Sequence, residues 1–240
     1  MRTIDEIAVG FSTKELVSVI NKVKNVTYID NLRNRKQFVS LDSKIRGLLG
    51  ESMAKRFLID SGMKIIQTNI FDNGNSADTD IIIMNNNGRR FSIEVKTSLV
   101  PDKWNYLEEI IQNADIKIIK KEGSFIETKI DIYIQIYFNK KTTARDTFLT
   151  NIIGDANNFS AEELINIMKL DTLKGVIVGW IDKQSIINFL ENETVKTWHY
   201  AKRDFWKSPL RYSLSPESFG KTINNYENKK PVSKKEEHTR

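Results

Sequence analysis

At 240 residues the chain is long enough for one domain with a full core and short for two independent ones. A hydrophobic content of 40% and a charged content of 28% are ordinary for a globular protein, which excludes wholesale disorder, and no apolar run reaches the length of a bilayer span. Without cysteine there are no disulfides, thiolate zinc sites or cysteine nucleophiles, and the opening Met1-Arg-Thr-Ile-Asp-Glu6 lacks the apolar stretch of a secretory signal, so a cytoplasmic location is expected. The net charge of +6 suits a polyanion partner, but six Lys/Arg against three Glu between 221 and 240 place about half of it in the C-terminal tail. A basic surface on the body must therefore be argued locally. Heavy use of Ile, Lys and Asn matches an AT-rich genome and is given no functional weight.

In chain order, Ser12-Thr-Lys-Glu15 reads as a capping box, followed by Leu16, Val17, Ile20 and Val23 at helical spacing. A second helix is capped by Ser40, carries an apolar stripe of Leu41, Ile45, Leu48, Leu49 and Met53, and stops at Ser61-Gly62. Glu51 lies at the edge of that stripe. Residues 64–70 read as a strand, and strands at about 80–86 and 90–97 are joined through Asn85-Asn-Asn-Gly88, the strongest hairpin signal in the chain. Residues 104–120 suit a helix, 130–138 a strand, 160–170 a helix opened by the capping box Ser160-Ala-Glu-Glu163, 175–181 a strand and 183–190 a helix. Two last strands are expected near 195–200 and 211–214. The fold class is α/β, a mixed central sheet flanked by helices. An N-terminal helical extension (1–40), a central domain (41–219) and a disordered basic tail (220–240) complete the expected layout.

The hairpin gathers chemistry. Ala77-Asp78-Thr79-Asp80 precedes the apolar run Ile-Ile-Ile-Met84, and the partner strand carries Ser-Ile-Glu94-Val-Lys96-Thr-Ser98. With a turn centred on Asn87-Gly88, Asp80 falls opposite Val95, next to Glu94 and Lys96, and a small register change or bulge aligns it with either. Residues 94 and 96 share one face of their strand. Two carboxylates suit a hard divalent cation, and a cation with a nearby lysine answers the two needs of phosphodiester hydrolysis: a nucleophile at neutral pH, and compensation for charge on the phosphate oxygens. Asp78 competes with Asp80; Asp80 is preferred because it abuts the apolar run and lies nearer Glu94.

Gly47-Leu-Leu-Gly50-Glu51 on a helix, Asp80 opening an apolar strand, and Glu94-Val95-Lys96 on the next resemble the PD-(D/E)xK nuclease superfamily, which includes many restriction endonucleases, junction resolvases and repair nucleases. The likeness covers residues 41–98 well and the later alternation of helix and strand loosely. It departs from the signature at Thr79, where proline is usual. The resemblance implies a three-layer, restriction endonuclease-like core in which Asp80 and Glu94 bind magnesium (with manganese able to substitute), joined by the backbone carbonyl of Val95. Lys96 would then position or help deprotonate the attacking water. Glu51 is expected to enlarge the acidic cluster, and Gly47, one turn before it, to admit close approach of backbone or phosphate.

The expectation is a magnesium-dependent endodeoxyribonuclease acting on double-stranded DNA, preferably a stand-alone type II restriction enzyme working as a homodimer, with a cognate DNA methyltransferase acting separately. The alternatives are a junction resolvase or repair nuclease, and a non-catalytic DNA-binding module that keeps the fold. Expected DNA contacts are Thr97 and Ser98 past the lysine, Lys103 on the following loop, and Lys140, Lys141 and Arg145 on a basic loop. The aromatic and basic stretch 198–207 is a further candidate, with His199 read as structural. Gln135 interrupts an alternating strand and is read as facing either the cleft or solvent.

Overall fold

The structure, a computed structural model, describes residues 1–24, 35–68, 79–119, 130–191, 196–200, 203–209 and 215–226. A six-stranded mixed sheet has strand order β1-β7-β6-β4-β3-β2, made of β1 (Val9–Gly10), β2 (Lys64–Thr68), β3 (Ile81–Met84), β4 (Arg90–Val100), β6 (Ile132–Lys141) and β7 (Lys174–Asp182). Among the described residues, only β4 and β6 pair in parallel. Their register is held by a clamp between Ser92 and Asp131. The Ser92 N–H and hydroxyl each donate to Asp131 Oδ2 at 2.8 Å, and the Asp131 N–H returns to Ser92 O at 3.0 Å.

Alternation along β6 sorts the core into two layers, as period-two geometry requires. Ile132, Ile134, Ile136 and Phe138 face α1 (Thr13–Lys24) and α2 (Gln37–Asp60). Tyr133 and Tyr137 face the opposite layer, with Ile110 of α3 (Leu107–Asn113) and Ile186 of α6 (Lys183–Glu191). The sheet is thus flanked by helices on both faces, as expected for the fold class. α2 is the hub: Leu41, Ile45, Leu49, Met53, Phe57 and Leu58 are all buried, each worth about 1.5–3 kcal/mol in apolar transfer.

Several elements differ from the sequence reading. Ser40 does not cap α2, which starts a turn earlier because Phe38 and Val39 are also buried, while Gln37 binds Asp155 and the Ala156 N–H. The N-terminal region is no extension. Leu16, Ile20 and Val23 belong to the main core, Glu15 pairs with Arg56 at 3.3 Å, and β1 extends the sheet. The helix expected over 104–120 ends at Asn113, where Ala114 turns extended, and Asp115–Ile119 forms β5. β5 joins β8 (Lys196–Tyr200) and β9 (Arg203–Pro209) in a small antiparallel sheet of order β5-β9-β8. The alternation Asp-Ile-Lys-Ile is itself a strand pattern, which directly follows the helical spacing of 107–114. The strand expected at 211–214 lies outside the described residues, apart from the separate observation that β9 ends at Pro209.

The tail boundary also moves. α7 (Pro216–Asn224) buries Phe219, whose ring packs on Phe57 and Trp180 at 5.3 and 5.0 Å, so the fold runs through the proposed cut at 220. Residues 227–240 lie outside the described part. α4 (Thr142–Thr150) and α5 (Ala161–Ile167) are the remaining α-helices among the described residues, α4 replacing the expected basic loop. Among the described residues, no helix is long and apolar enough to cross a membrane.

Candidate active site

The hairpin turn decides where the acids meet. The Asn85 N–H donates to Arg89 O at 2.9 Å and the Gly88 N–H to Asn85 O at 3.0 Å, with Gly88 at φ 77°. This is a three-residue loop closed by a left-handed glycine, not a two-residue turn centred on Asn87-Gly88. The change slips the register by one residue: Ile81 pairs with Ile93, and continuing that pairing brings Asp80 level with Glu94 rather than Val95. The asparagine run is also structural. Asn85 Oδ1 accepts from the Asn87 and Arg89 N–H groups, while the Asn85 and Asn87 amides donate to Ile223 O and Asn224 O at the end of α7.

At Asp80 the two strands part. The Asp80 N–H donates to Ile93 O, and Asp80 Oδ2 accepts from the Val95 N–H at 2.6 Å, a side chain taking the place of a ladder partner. Among the described residues, β4 beyond Ile93 pairs only with β6. Glu94 and Lys96 therefore sit half-buried on a central strand, and they form an ion pair with each other. In extended backbone the N–H and C=O of one residue share an edge, so the Val95 carbonyl lies on the edge that faces Asp80.

α2 delivers Glu51 from the other layer. A Cβ on Gly50 would come within 2.4 Å of Thr97 Cγ2, so glycine here lets the helix seat against β4 with Glu51 at its margin. A Cβ on Gly47 would meet nothing within 4 Å among the described residues, so none of them requires glycine there. Burial, and then the Asp80 charge, push the Glu51 carboxyl up to about 8. Asp80 is also raised, first by burial and further by Glu94, against the lowering effect of the Val95 N–H and Lys96. Three acids and one lysine thus form one electrostatic group.

The oxygen donors fit a hard divalent cation in kind, and two buried carboxylates held against their own repulsion are what a cation relieves. Spacing is another matter. Among the described residues, no three acidic, histidine or cysteine side chains stand gathered to hold a metal. Glu94 is turned to Lys96, and Asp80 spends an oxygen on Val95. Asp78 lies outside the described residues.

The expected DNA contacts divide sharply. Arg145 is buried, with Nε and Nη2 on Asp42 Oδ1 at 3.0 and 2.6 Å and Nη1 on Met168 O at 2.7 Å, so its guanidinium is spent inside the protein. Lys141 binds the carbonyls of Pro101, Asp102 and Trp104, anchoring the loop after β4. Lys140 is half-buried, its ammonium disfavoured first by burial and then by Arg145, with Asp5 and Asp171 opposing. Thr97 turns its methyl to Gly50, away from the Glu94 and Lys96 face. Ser98, half-buried on the Lys96 face, and exposed Lys103 keep positions open to a ligand. The side chains of 198–207 lie outside the described residues.

One polar residue left undecided in the sequence is placed firmly. Gln135 is 2% exposed, sits level with Lys96 on the neighbouring strand, and bonds Ser98. A lone amide between Tyr133, Ile134, Ile136 and Tyr137 on a central strand was the available signal. Comparison of the chain with protein-family models, curated proteins and solved structures finds no match.

Proposed function

We propose that the chain is a metal-dependent endodeoxyribonuclease with a restriction endonuclease-like core. The observation that carries this reading is the convergence of Asp80, Glu94, Lys96 and Glu51 at the point where β3 and β4 part, brought from two strands and a helix. The helix-flanked sheet supports the three-layer arrangement that the resemblance implies.

In this reading Asp80, Glu94 and the Val95 carbonyl would hold magnesium, with Glu51 completing the acidic cluster. The bound cation would polarise the phosphate and lower the pKa of a water. Lys96, which pairs with Glu94 in this structure, would hold its ammonium beside the reacting phosphate. There it orients the water by hydrogen bonding and offsets charge on the equatorial oxygens. Burial and the Asp80 charge raise the Glu51 carboxyl to about 8, and a cation held beside it would favour its ionised form. A type II restriction enzyme, cytoplasmic, homodimeric and matched by a separate methyltransferase, is the biological form we favour by analogy with the family.

Digestion of a long DNA of known sequence with magnesium or manganese tests the proposal. Discrete bands with mapped ends support restriction, and preferential cutting of branched or damaged DNA moves the assignment to a resolvase or repair nuclease. Resistance of every DNA to the protein defeats the nuclease reading.

A further inference from the structure

We propose that Gln135 is a positioning residue that turns the Ser98 hydroxyl outward as a hydrogen-bond donor to a DNA phosphate beside Lys96. This rests on the nuclease reading and adds to it a residue for holding the substrate. Gln135 and Lys96 are level in the parallel β4–β6 register, and alternation puts Ser98, two residues on, on the same face as Glu94 and Lys96. The ladder between β6 and β7 is irregular at this place, between Gln135 and Ile136. Such bulges re-aim side chains beside active sites.

The orientation of the amide follows from its partners. Its nitrogen lies 3.1 Å from Ile136 O and 3.2 Å from Ser98 Oγ. A backbone carbonyl only accepts, so the amide group facing it must be the NH2, and the second hydrogen of that group goes to Ser98. Ser98 Oγ is therefore the acceptor in this bond, and its own O–H is left to point elsewhere. Among the described residues no acceptor takes it. An apolar side chain would fill position 135 as well as its neighbours do, and burying an amide is costly without partners. The polar residue is accounted for by what it does to Ser98.

The chemistry selects an anionic oxygen acceptor within reach of Lys96, which in a nuclease is a phosphate of the strand being cut. With one lone pair of Ser98 Oγ already engaged by the amide, its O–H has fewer orientations to lose on binding, which strengthens substrate binding. The test measures binding of a fluorescently labelled duplex in EDTA by anisotropy and plasmid nicking with manganese, for wild type, Ser98→Ala, Ser98→Thr, Gln135→Met and the Ser98→Ala/Gln135→Met double variant. A charge-assisted hydrogen bond predicts that Ser98→Ala and Gln135→Met each weaken DNA affinity and raise KM about tenfold or more. Ser98→Thr, which keeps the hydroxyl, stays near wild type, and the double variant is no worse than Ser98→Ala. A merely structural Gln135 would instead give losses that multiply with Ser98→Ala, and that result overturns the proposal. Should Gln135→Met not fold, Gln135→Asn, whose shorter amide falls short of Ser98, takes its place. Wild-type nicking that Ser98→Ala leaves unchanged defeats this inference alone. Wild type that neither binds nor nicks DNA defeats the nuclease reading and this inference with it.

Discussion

Replacing Glu51 by Gln removes a buried ionisable group with almost no change of shape, and its effect on stability should depend on pH in a definite direction. The folded carboxyl is raised from 4.5 to about 8. Between those values the unfolded chain has released the proton and the folded chain retains it, so stability falls as pH rises, by about 1.4 kcal/mol per pH unit for this group. Asp80, also raised, adds a loss of the same sign. The depressed carboxylates Glu15 and Glu163, held down by their capping hydrogen bonds, contribute stability that is complete above the ordinary carboxylate range and do not slope here. In EDTA, urea unfolding at pH 5, 6.5 and 8 should therefore show wild type losing a few kcal/mol relative to Glu51→Gln, with allowance made for partial exposure. Magnesium at pH 8 should close most of the gap. Parallel pH profiles for the two proteins would refute the account of the acidic cluster.

Gly50→Ala should cost about 1–3 kcal/mol through overpacking against the Thr97 methyl, and Gly50→Ala/Thr97→Ser, which deletes that methyl, should recover most of it in a thermal melt. Gly47→Ala, into open space, should stabilise α2 by about 1 kcal/mol in the same assay. Arg145→Ala should lose about 3 kcal/mol by stranding Asp42, held to the low end because Arg46 Nε still meets Asp42 Oδ2 at 2.7 Å; DNA affinity of the folded variant should not change. Asn85→Ala removes the acceptor for two turn N–H groups and the donor to Ile223 O. It should cost about 1–3 kcal/mol and expose α7 to proteolysis before the rest of the fold.

Residue types and period carried the sequence reading furthest where contacts are local. The capping boxes at Ser12 and Ser160 form as expected, with Glu15 and Glu163 bonding back to their caps. The hairpin was legible, but its loop length was not, because Asn-Asn-Asn-Gly admits both a two-residue and a three-residue closure. α7 contacts settle which one forms, and they lie far along the chain. α4 was unreadable for a different reason. It buries Arg145 beside Leu149, and the arginine's charge reads as solvent-exposed until Asp42, distant in sequence, is seen to neutralise it. Glu51 was placed at the edge of its helical stripe by spacing alone, whereas the need for Gly50 rather than Gly47 depends on how closely α2 rests on Thr97. Gln135 shows the same limit: alternation reports that a strand residue is polar, and only the packing reports that it is buried.

The most direct test of the central claim compares nicking of supercoiled plasmid by wild type, Asp80→Ala and Lys96→Ala in magnesium and in manganese, with folding verified by circular dichroism. The account predicts metal-dependent cutting by wild type, abolished by EDTA and lost by at least a hundredfold in either variant, in line with removal of one group that stabilises transition-state charge. Wild type inert with both metals, or variants that cut as fast as wild type, would contradict it.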